Sequence, residues 1–560
     1  MADPKPRSQL PKSTDVLIVG AGAGGAAAAW ALARKGVQVV LIDAGPEFTA
    51  DEYKVSDTDW ELQGLPNKPG SRGRHEIVAE QPLDDRWPVL RNLLAPRQRF
   101  SGKSHRRSGA YSHVRGIGGT TLHFAGWMHR LRPEVFQMFS RYGVAADWPL
   151  SYDELEPYYL LAEQMIGVAG PMAVAGRPRS GPFPTPAHAP SLLSQTISKG
   201  GAKLGFHFVP NPVAAPSRPY NNQPECNYCG CCSKGCPRGD KGSADLTFVN
   251  PALQTGNCQV FPLHTLVDLQ RGKHDALISA MVVDDTGTRH QITASHYVLA
   301  GGAIETPRLL LSMDNLANES GQVGRNFMET LASGITGLHP EQIGSHRGLP
   351  EDSICWDLNA PDAIPGIPGG AVITPTVASN GYLGPARYAE RLVEGFGTAF
   401  KQRLLETFGR AAGMMVICEN LPNSRSFISL SEQTVDANMM PVAQINSYLP
   451  DMEVERLAYA TARAEDILMA SGVPKVLERS TTYEQFNTTH IMGTCRMGTD
   501  PDKSVVNVSQ RSHRWKNLWI ADASVFASSG GGDAPSLTIH ALSLRMADAM
   551  FDQLGQASQA

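Results

Sequence analysis

The chain has 560 residues, more than one hydrophobic core usually supports, and its length therefore predicts two domains. Its composition, 42% hydrophobic and 19% charged, is that of an ordinary globular protein. A net charge of −4 gives no electrostatic support for binding nucleic acid or an anionic membrane surface. No apolar run reaches the roughly 18–20 residues of a membrane-spanning helix, and the N-terminus lacks the apolar segment of a signal peptide.

A dinucleotide-binding motif is predicted near the N-terminus. The apolar run Val16–Val19 enters a glycine turn, which is followed by a small-residue helix at Ala26–Arg34 and a second apolar run at Val37–Ile42. In a G-x-G-x-x-G turn the glycines allow a tight bend, close approach to a pyrophosphate and close packing of helix on strand. The helix N-terminus offers N–H groups to the diphosphate, and an acid after the second strand accepts from ribose hydroxyls. The predicted contacts are Gly20, Gly22, Gly25 and Asp43.

Helix and strand signals continue along the middle of the chain. Ser151 and Glu154 have the spacing of a capping box, which predicts the start of a helix. The other predicted elements of this part are a helix near Ser191–Leu204, strands at Val260–Val267 and Tyr297–Ala300 that return to the first sheet, and a helix that opens at Gly302.

After about Leu331 the pattern changes to alternating strands, which predicts an antiparallel sheet in a separate domain. The predicted strands are Gly369–Thr376, Met414–Glu419, Ser426–Ser431 and Val442–Leu449. Asp451–Ala470 is predicted as a long amphipathic helix beside this sheet, and the C-terminal part returns to glycine turns and ends in a helix.

Five of the nine cysteines fall within one short run, between Cys226 and Cys236. The run has the ligand spacing of bacterial ferredoxins, in which thiolates hold an iron–sulfur cluster. Zinc, a pair of disulfides and a loop without metal are the alternatives; zinc usually takes two separate pairs, and disulfides suit small secreted chains. The spacing therefore favours a cluster with three or four irons. Its predicted ligands are Cys226, Cys229, Cys232 and Cys236.

Several motifs together carry a family resemblance. They are the N-terminal glycine turn, GIGGTTLH, AGGAIETPRLLL (Ala300–Leu311), SGQVGRNFM (Ser320–Met328) and HIMGTCRMG (His490–Gly498). In this order they resemble the glucose–methanol–choline (GMC) oxidoreductases over nearly the whole chain. The stretch DWPLSYDELEPYY resembles the bacterial branch that contains flavoprotein subunits of gluconate, fructose and glucose dehydrogenases and of glucoside 3-dehydrogenases.

The resemblance implies an α/β fold, α+β overall, with a Rossmann-like FAD-binding domain and a substrate domain built on an antiparallel sheet. The FAD-binding domain is expected in three parts, at 13–130, at 216–330 with the cysteine loop 226–236, and at 481–555 with the catalytic histidine. The substrate domain is expected in two parts, a cap segment at 131–215 and the sheet at 331–480.

The resemblance also implies catalytic residues. His490 would be the base that accepts the hydroxyl proton, a role that suits an imidazole; the alternative is a histidine that only hydrogen-bonds within a turn. The family usually has Asn or His before the proline of its C-terminal motif, whereas this chain has Ala534 before Pro535. The second polar role is then open or moves to Asp533, which could instead be a turn residue capping the following helix.

The remaining cofactor contacts follow from the same resemblance. His123 stands where several relatives link FAD covalently, although contact without a bond is an equal alternative. The other implied contacts are Gly118, Gly119 and Thr120 by backbone, Val267 at adenine, Asp522 at the ribityl chain or flavin edge, and Ala534 and Pro535 at the flavin.

The implied activity is that of an FAD-dependent dehydrogenase that oxidises a secondary alcohol of a sugar, sugar acid, polyol or glycoside. Hydride would pass to flavin N5, and electrons would leave through the cluster to a cytochrome c or quinone partner. An oxygen-using alcohol oxidase and a non-redox FAD-containing lyase are the alternatives. A small partner subunit would carry the chain to the periplasm or membrane; a cytoplasmic location is the alternative.

Overall fold

The computed structural model describes residues 9–53, 75–92, 105–377 and 384–557. Residues 1–8 lie outside these ranges. Within them, no helix combines the length and the apolar character that crossing a bilayer requires.

Ten α-helices are described. They are α1 (Ala23–Ala33), α2 (Met138–Tyr142), α3 (Tyr152–Ile166), α4 (Leu192–Ala202), α5 (Asn250–Gln254), α6 (Gly302–Ser312), α7 (Pro385–Leu392), α8 (Gly397–Thr407), α9 (Asp451–Ala470) and α10 (Ser536–Ala557).

The described strands form several sheets. They are β1 (Ser13–Val19), β2 (Val39–Ile42), β3 (His75–Ala79), β4 (Arg107–Tyr111), β5 (Ala169–Gly170), β6 (Thr185–Pro186), β7 (Phe208–Pro210), β8 (Cys258–Phe261), β9 (Thr265–Arg271), β10 (Leu277–Val283), β11 (Arg289–Leu299), β12 (Met328–Glu329), β13 (Leu331–Leu338), β14 (Ser353–Cys355), β15 (Ala371–Pro375), β16 (Ala411–Cys418), β17 (Phe427–Val435), β18 (Pro441–Ser447), β19 (Glu478–Thr481), β20 (Gln485–Thr488), β21 (Ile491–Met492) and β22 (Leu518–Ile520).

The first domain is built on a seven-stranded sheet in the order β8-β2-β1-β11-β10-β9, with β22 beside β11. The strands from β8 to β11, and β22, run parallel, whereas β10 and β9 are antiparallel. Helix α1 is buried along almost its whole length because it lies between this sheet and α10. The predicted strand–turn–helix–strand unit and the α/β class are confirmed.

Helix α3 begins at the predicted capping box. The Ser151 hydroxyl accepts from the Glu154 N–H at 3.3 Å, and the Glu154 carboxylate accepts from the Ser151 N–H at 2.8 Å. The helix ends at Gly167, whose left-handed backbone (φ 75°) closes the last turn. Tyr159 and its neighbours pack on α10, so that the first half of the predicted cap segment 131–215 joins the core of the first domain.

The second domain is built on a six-stranded antiparallel sheet in the order β19-β13-β16-β15-β14-β7. Helix α9 packs across it and matches the predicted bounds, and α4 from the cap segment completes the same core. The predicted antiparallel sheet is therefore confirmed. The strands predicted at Ser426–Ser431 and Val442–Leu449, however, are not part of it: β17 and β18 form a hairpin that pairs with β3.

The single strand predicted at Val260–Val267 is wrong. The structure has two strands there, β8 beside β2 and β9 beside β10, at opposite edges of the sheet. Pro262 breaks the run, and Leu263 takes a left-handed backbone (φ 60°). The turn is held because the His264 N–H donates to the Asp43 carbonyl at 2.8 Å, which carries the chain across the end of β2.

The packing of α1 generates a prediction. A Cβ on Gly24 would lie 1.7 Å from the backbone oxygen of Ala521, which cannot move without shifting the sheet. Gly24→Ala should therefore lower the midpoint of thermal unfolding and reduce FAD content, with overpacking costing about 1–3 kcal/mol or more.

The same chemical change at Gly555 is the matched control, because a Cβ there meets nothing within 4 Å. Gly555→Ala should leave the unfolding midpoint equal or slightly higher, since alanine favours a helix over glycine. Equal midpoints for the two variants would contradict the packing argument.

Candidate active site

One large cavity, of about 1040 Å³, connects the two domains. At one end it is lined by the first glycine turn and Asp43, and elsewhere by His490, Glu351 and Trp127. Its volume suits a dinucleotide together with a small substrate.

The first glycine turn presents backbone to this cavity. Helix α1 begins after Gly22 with no side-chain cap and no acid in its first turn, so its first N–H groups are left to a ligand. A Cβ on Gly25 would lie 1.9 Å from the Gly20 carbonyl oxygen, which is the close helix–strand packing that the motif predicts. Gly20 and Gly22 line the cavity, whereas Gly25 lies behind it.

Asp43 follows β2 and lies in the wall of the cavity. Its carboxylate accepts from the Ala21 N–H at 2.9 Å and from the Gly45 N–H at 2.8 Å. Burial raises the pKa of this carboxyl, and these backbone N–H groups oppose the rise. A carboxylate has about four acceptor sites, so the remaining ones can serve ribose hydroxyls.

The second glycine turn packs directly on the first. The Gly118 N–H donates to the Ala21 carbonyl at 2.9 Å, and a Cβ on Gly119 would lie 2.8 Å from the Gly22 Cα. Both Gly118 (φ 99°) and Gly119 (φ 53°) have positive φ angles. Gly119, Thr120 and the following residues line the cavity, so a flat ligand can lie against backbone that side chains would otherwise cover.

Further predicted contacts divide between the cavity wall and the layer behind it. Asp522, Ala534 and Pro535 line the cavity, as does His123, whose Nδ1 lies 3.3 Å from the Ser233 carbonyl oxygen. The Asp522 carboxylate accepts from the Gly302 N–H at 2.9 Å and thereby fixes the start of α6. The predicted residues that lie behind the wall are Gly25, Gly118, Val267 and Asp533; next to Val267, Thr265 and Leu266 reach the cavity instead.

His490 is half-buried in the cavity wall, immediately before β21. Its carbonyl accepts from the Thr330 N–H at 3.0 Å, which fixes the backbone beside β12. Desolvation, with a smaller contribution from His129, lowers the pKa of the His490 imidazole to about 4. The imidazole is therefore neutral near pH 7 and able to accept a proton.

Asp533 has a different setting from the one predicted. Its carboxylate is buried and accepts from Arg177 Nη2 at 2.7 Å and from Trp356 Nε1 at 3.1 Å. His129 Nδ1 lies 3.2 Å from it, and Asn359 Nδ2 donates to it at 3.3 Å. Burial raises its pKa, but Arg177 and His129 outweigh that effect and the pKa ends below its ordinary value. Asp533 thus contacts His129, Arg177 and Trp356 and does not line the cavity itself.

The sequence indicated nothing about three residues of this region. His129 and Arg177 stand in loops without a motif and come together only through Asp533. Glu351 lies in a loop before β14, and the residues that flank it in the sequence form no recognisable motif. Only long-range contacts identify these residues.

The residues present fit FAD. Two glycine turns that leave room where side chains would stand, free N–H groups at α1 and an acid at the end of β2 are the groups that an adenine dinucleotide needs. The Gly20–Gly24 turn would hold the diphosphate, Asp43 the ribose, and Gly119, Thr120, Ala534 and Pro535 the flavin. Fold and cavity together define a flavin-dependent oxidoreductase with an imidazole at its reactive end.

Comparisons with known proteins agree with this class. The family profiles of the N- and C-terminal parts of GMC oxidoreductases match residues 14–332 and 422–543. The chain belongs to the GMC oxidoreductase family, and it is an FAD-dependent oxidoreductase that acts on CH–OH donors.

Similar proteins extend over the whole chain. The large subunit of fructose dehydrogenase from Gluconobacter japonicus is 30% identical, over 97% of this chain and 99% of that protein. The 6'''-hydroxyparomomycin C oxidase of Streptomyces lividus is 29% identical, over 96% of this chain and 92% of that protein. The crystal structure of pyridoxine 4-oxidase from Mesorbium loti has the same fold, with a TM-score of 0.67, 20% identity, and coverage of 96% of this chain and 99% of that one.

The cysteine loop lies against the cavity. Ser233, between Cys232 and Lys234, lines the cavity and contacts His123. The buried ammonium group of Lys241 donates to the carbonyls of Leu122 at 2.9 Å and Cys232 at 2.7 Å, which ties the loop to the segment before the cavity wall.

The thiols of this loop differ in burial and in their hydrogen-bond partners. Cys226 and Cys232 are buried in a small apolar cluster, Cys229 is exposed, and the Cys236 thiol donates to Asp240 at 2.7 Å. Among the residues that the structure describes, no three His, Cys, Asp or Glu side chains are grouped to hold a metal ion. The arrangement does not support the predicted iron–sulfur site, which remains a prediction from spacing. All nine cysteines are free thiols.

The iron and sulfide content of the purified protein tests the predicted cluster. If the cysteine run binds a cluster, protein purified without oxygen should contain about three or four irons with matching sulfide per chain. Cys232→Ser should then lose most of the iron, whereas Cys418→Ser, which changes a buried thiol in β16, should retain it. Iron-free wild-type protein would show that the prediction of a cluster is wrong.

The setting of Asp533 generates another prediction. Asp533→Asn removes a charge that Arg177 contacts in a buried site, and loss of one partner from a buried ion pair costs about 3–5 kcal/mol. The midpoint of the first unfolding transition should therefore shift to a lower denaturant concentration. Asp153→Asn, on the exposed first turn of α3, should change stability by less than about 0.5 kcal/mol, and equal effects of the two variants would contradict this reading.

Proposed function

We propose that this protein is a dehydrogenase that oxidises a secondary alcohol group of a sugar, sugar acid, polyol or glycoside. The observation that carries the proposal is the position of His490, a neutral imidazole in the wall of the same cavity that the dinucleotide motif opens into. The fructose dehydrogenase large subunit, similar over almost the whole chain, supports a polyhydroxy substrate.

The reaction breaks two bonds of the substrate. FAD, when bound, supplies a hydride acceptor at N5 for the hydrogen on the carbinol carbon. His490 accepts the proton of the substrate hydroxyl on its imidazole nitrogen, so that the C–O bond becomes a carbonyl. His129, which contacts Asp533, contributes to the lowered pKa of the His490 imidazole and so favours the neutral base before the reaction.

The fate of the electrons is a further part of the proposal. We infer that a separate small subunit and a cytochrome c or quinone acceptor serve this chain, because its relative is named as a large subunit. Such a partner would also carry the chain to the periplasm or membrane. No step is assigned to an iron–sulfur cluster, because no three described His, Cys, Asp or Glu side chains are grouped to hold a metal ion.

An oxidase is the second candidate, because a relative of nearly equal identity is named as an oxidase. Its reduced flavin would be reoxidised by oxygen with formation of peroxide. A dehydrogenase would instead transfer electrons to cytochrome or quinone, with little oxygen consumption.

A substrate screen tests the function. Holoprotein is mixed without oxygen with sugars, sugar acids, polyols and glycosides, and bleaching of the flavin absorption identifies the substrate. Oxygen, cytochrome c and a quinone are then offered in turn to the reduced protein. A flavin that no compound in the panel bleaches would contradict the proposal and favour a non-redox role for FAD.

His490→Ala should retain FAD and slow its reduction by substrate about 10²–10⁴-fold, because the hydroxyl proton loses its acceptor. Stopped-flow absorbance without oxygen measures this rate. His513→Ala is the control: His513 hydrogen-bonds Ser504 outside the cavity and should leave the rate unchanged. A His490→Ala variant that reduced its flavin at the wild-type rate would remove His490 from the reaction.

A further inference from the structure

Glu351 has an unusual backbone for its place in the cavity wall. Its φ angle is 49°, and among the described residues it is the one non-glycine lining residue of this cavity with a positive φ. L-residues other than Asn and Asp rarely adopt this conformation. Backbone strain of this kind persists where the surrounding structure holds it, and it is concentrated at functional sites.

The side chain of Glu351 is buried beside the Trp127 indole and lines the cavity. The residue is 6% exposed, and no described Lys, Arg or His forms an ion pair with its carboxyl group. The Trp127 indole N–H lies beside the carboxyl but outside normal hydrogen-bond geometry. Both groups line the cavity, and a carboxyl group has more donor and acceptor positions than one indole can occupy, so the remaining positions are open to a ligand that enters the cavity.

The protonation of Glu351 follows from the same surroundings. Burial raises its pKa to about 8; Asp352 adds to the rise and Trp127 opposes it. At neutral pH the carboxyl therefore holds its proton, so its O–H can donate and its C=O can accept.

A chain of contacts fixes Glu351 relative to the flavin end of the cavity. Its carbonyl accepts from Asn211 Nδ2 at 2.9 Å, and Asn211 Oδ1 lies 2.8 Å from His129 Nε2. The Ala534 N–H in turn donates to His129 Nδ1 at 3.3 Å. Trp127 packs in the same buried cluster as Ala534, so the Glu351 carboxyl lies near the residue whose methyl group cannot hydrogen-bond.

The neighbouring acid has a different role. Asp352 accepts from the Ser191 N–H and the Ser194 hydroxyl at the start of α4. It does not line the cavity. Of two adjacent carboxyl groups, one is therefore committed to structure and one faces the cavity.

We propose that Glu351 binds a hydroxyl group of the polyhydroxy substrate by hydrogen bonding and supplies the polar contact that Ala534 cannot make. This inference rests on the proposed alcohol-oxidising function. It assigns a neutral sugar or polyol, rather than a cationic substrate, to this part of the cavity.

Substrate affinity in the absence of turnover tests the assignment. The flavin is first reduced with dithionite, so that it cannot accept hydride, and the compound identified by the bleaching screen is titrated calorimetrically. Glu351→Gly should weaken binding about 10–100-fold, because a hydroxyl enters the cavity without its partner. Its thermal stability should be equal to or above that of wild type, because glycine relieves the left-handed backbone.

Glu351→Gln retains both an N–H donor and an acceptor and should bind within a few-fold of wild type. Asp352→Asn, the control, should keep wild-type affinity while losing stability at α4. A Glu351→Gly protein with wild-type substrate affinity would overturn the assignment of Glu351 but not the proposed function. A Glu351→Gln protein that binds the substrate as weakly as Glu351→Gly would also overturn the assignment. A wild-type protein that binds none of the screened alcohols would overturn the proposed function, and the assignment with it.

Discussion

The close contact of two glycine turns is the constraint on which the site depends. Ala21 and Gly118 are hydrogen-bonded at 2.9 Å, and Gly119 lies so close to Gly22 that a Cβ would not fit. Backbone rather than side chains therefore forms this wall, and the N–H groups at the start of α1 remain directed at the cavity. The first turn follows the carboxyl end of β1, and the second is held beside it because the Gly118 N–H donates to the Ala21 carbonyl and the Ile117 N–H donates to the Pro46 carbonyl.

Burial then separates the protonation states of the groups at the reactive end. Desolvation keeps the His490 imidazole neutral, whereas Arg177 and His129 lower the pKa of the buried Asp533 and favour its charged form. Glu351, which has no such cation, holds its proton. Three ionisable groups thus present a base, a fixed charge and a neutral acid at one pH, which is how a single site can accept a proton and still recognise hydroxyl groups.

Local patterns predicted the elements that local forces determine. The glycine spacing, the capping box at Ser151 and the apolar period of α9 all gave elements that the structure contains, because turn geometry and side-chain period act over a few residues. The prediction of a single strand at Val260–Val267 was wrong because this apolar run supplies residues to two strands at opposite edges of the sheet. Composition cannot show that Leu263 turns the chain from one edge to the other.

The sequence by itself determined the family, the dinucleotide motif and the candidate base, because each is written in consecutive residues whose chemistry is local. Only the tertiary structure decided that Asp533 is buried against Arg177 and that Glu351 lines the cavity beside Trp127. The physical reason is that burial, ion pairing and the direction of a side chain arise between segments hundreds of residues apart. The spacing of residues in the sequence therefore does not predict which of these side chains come into contact.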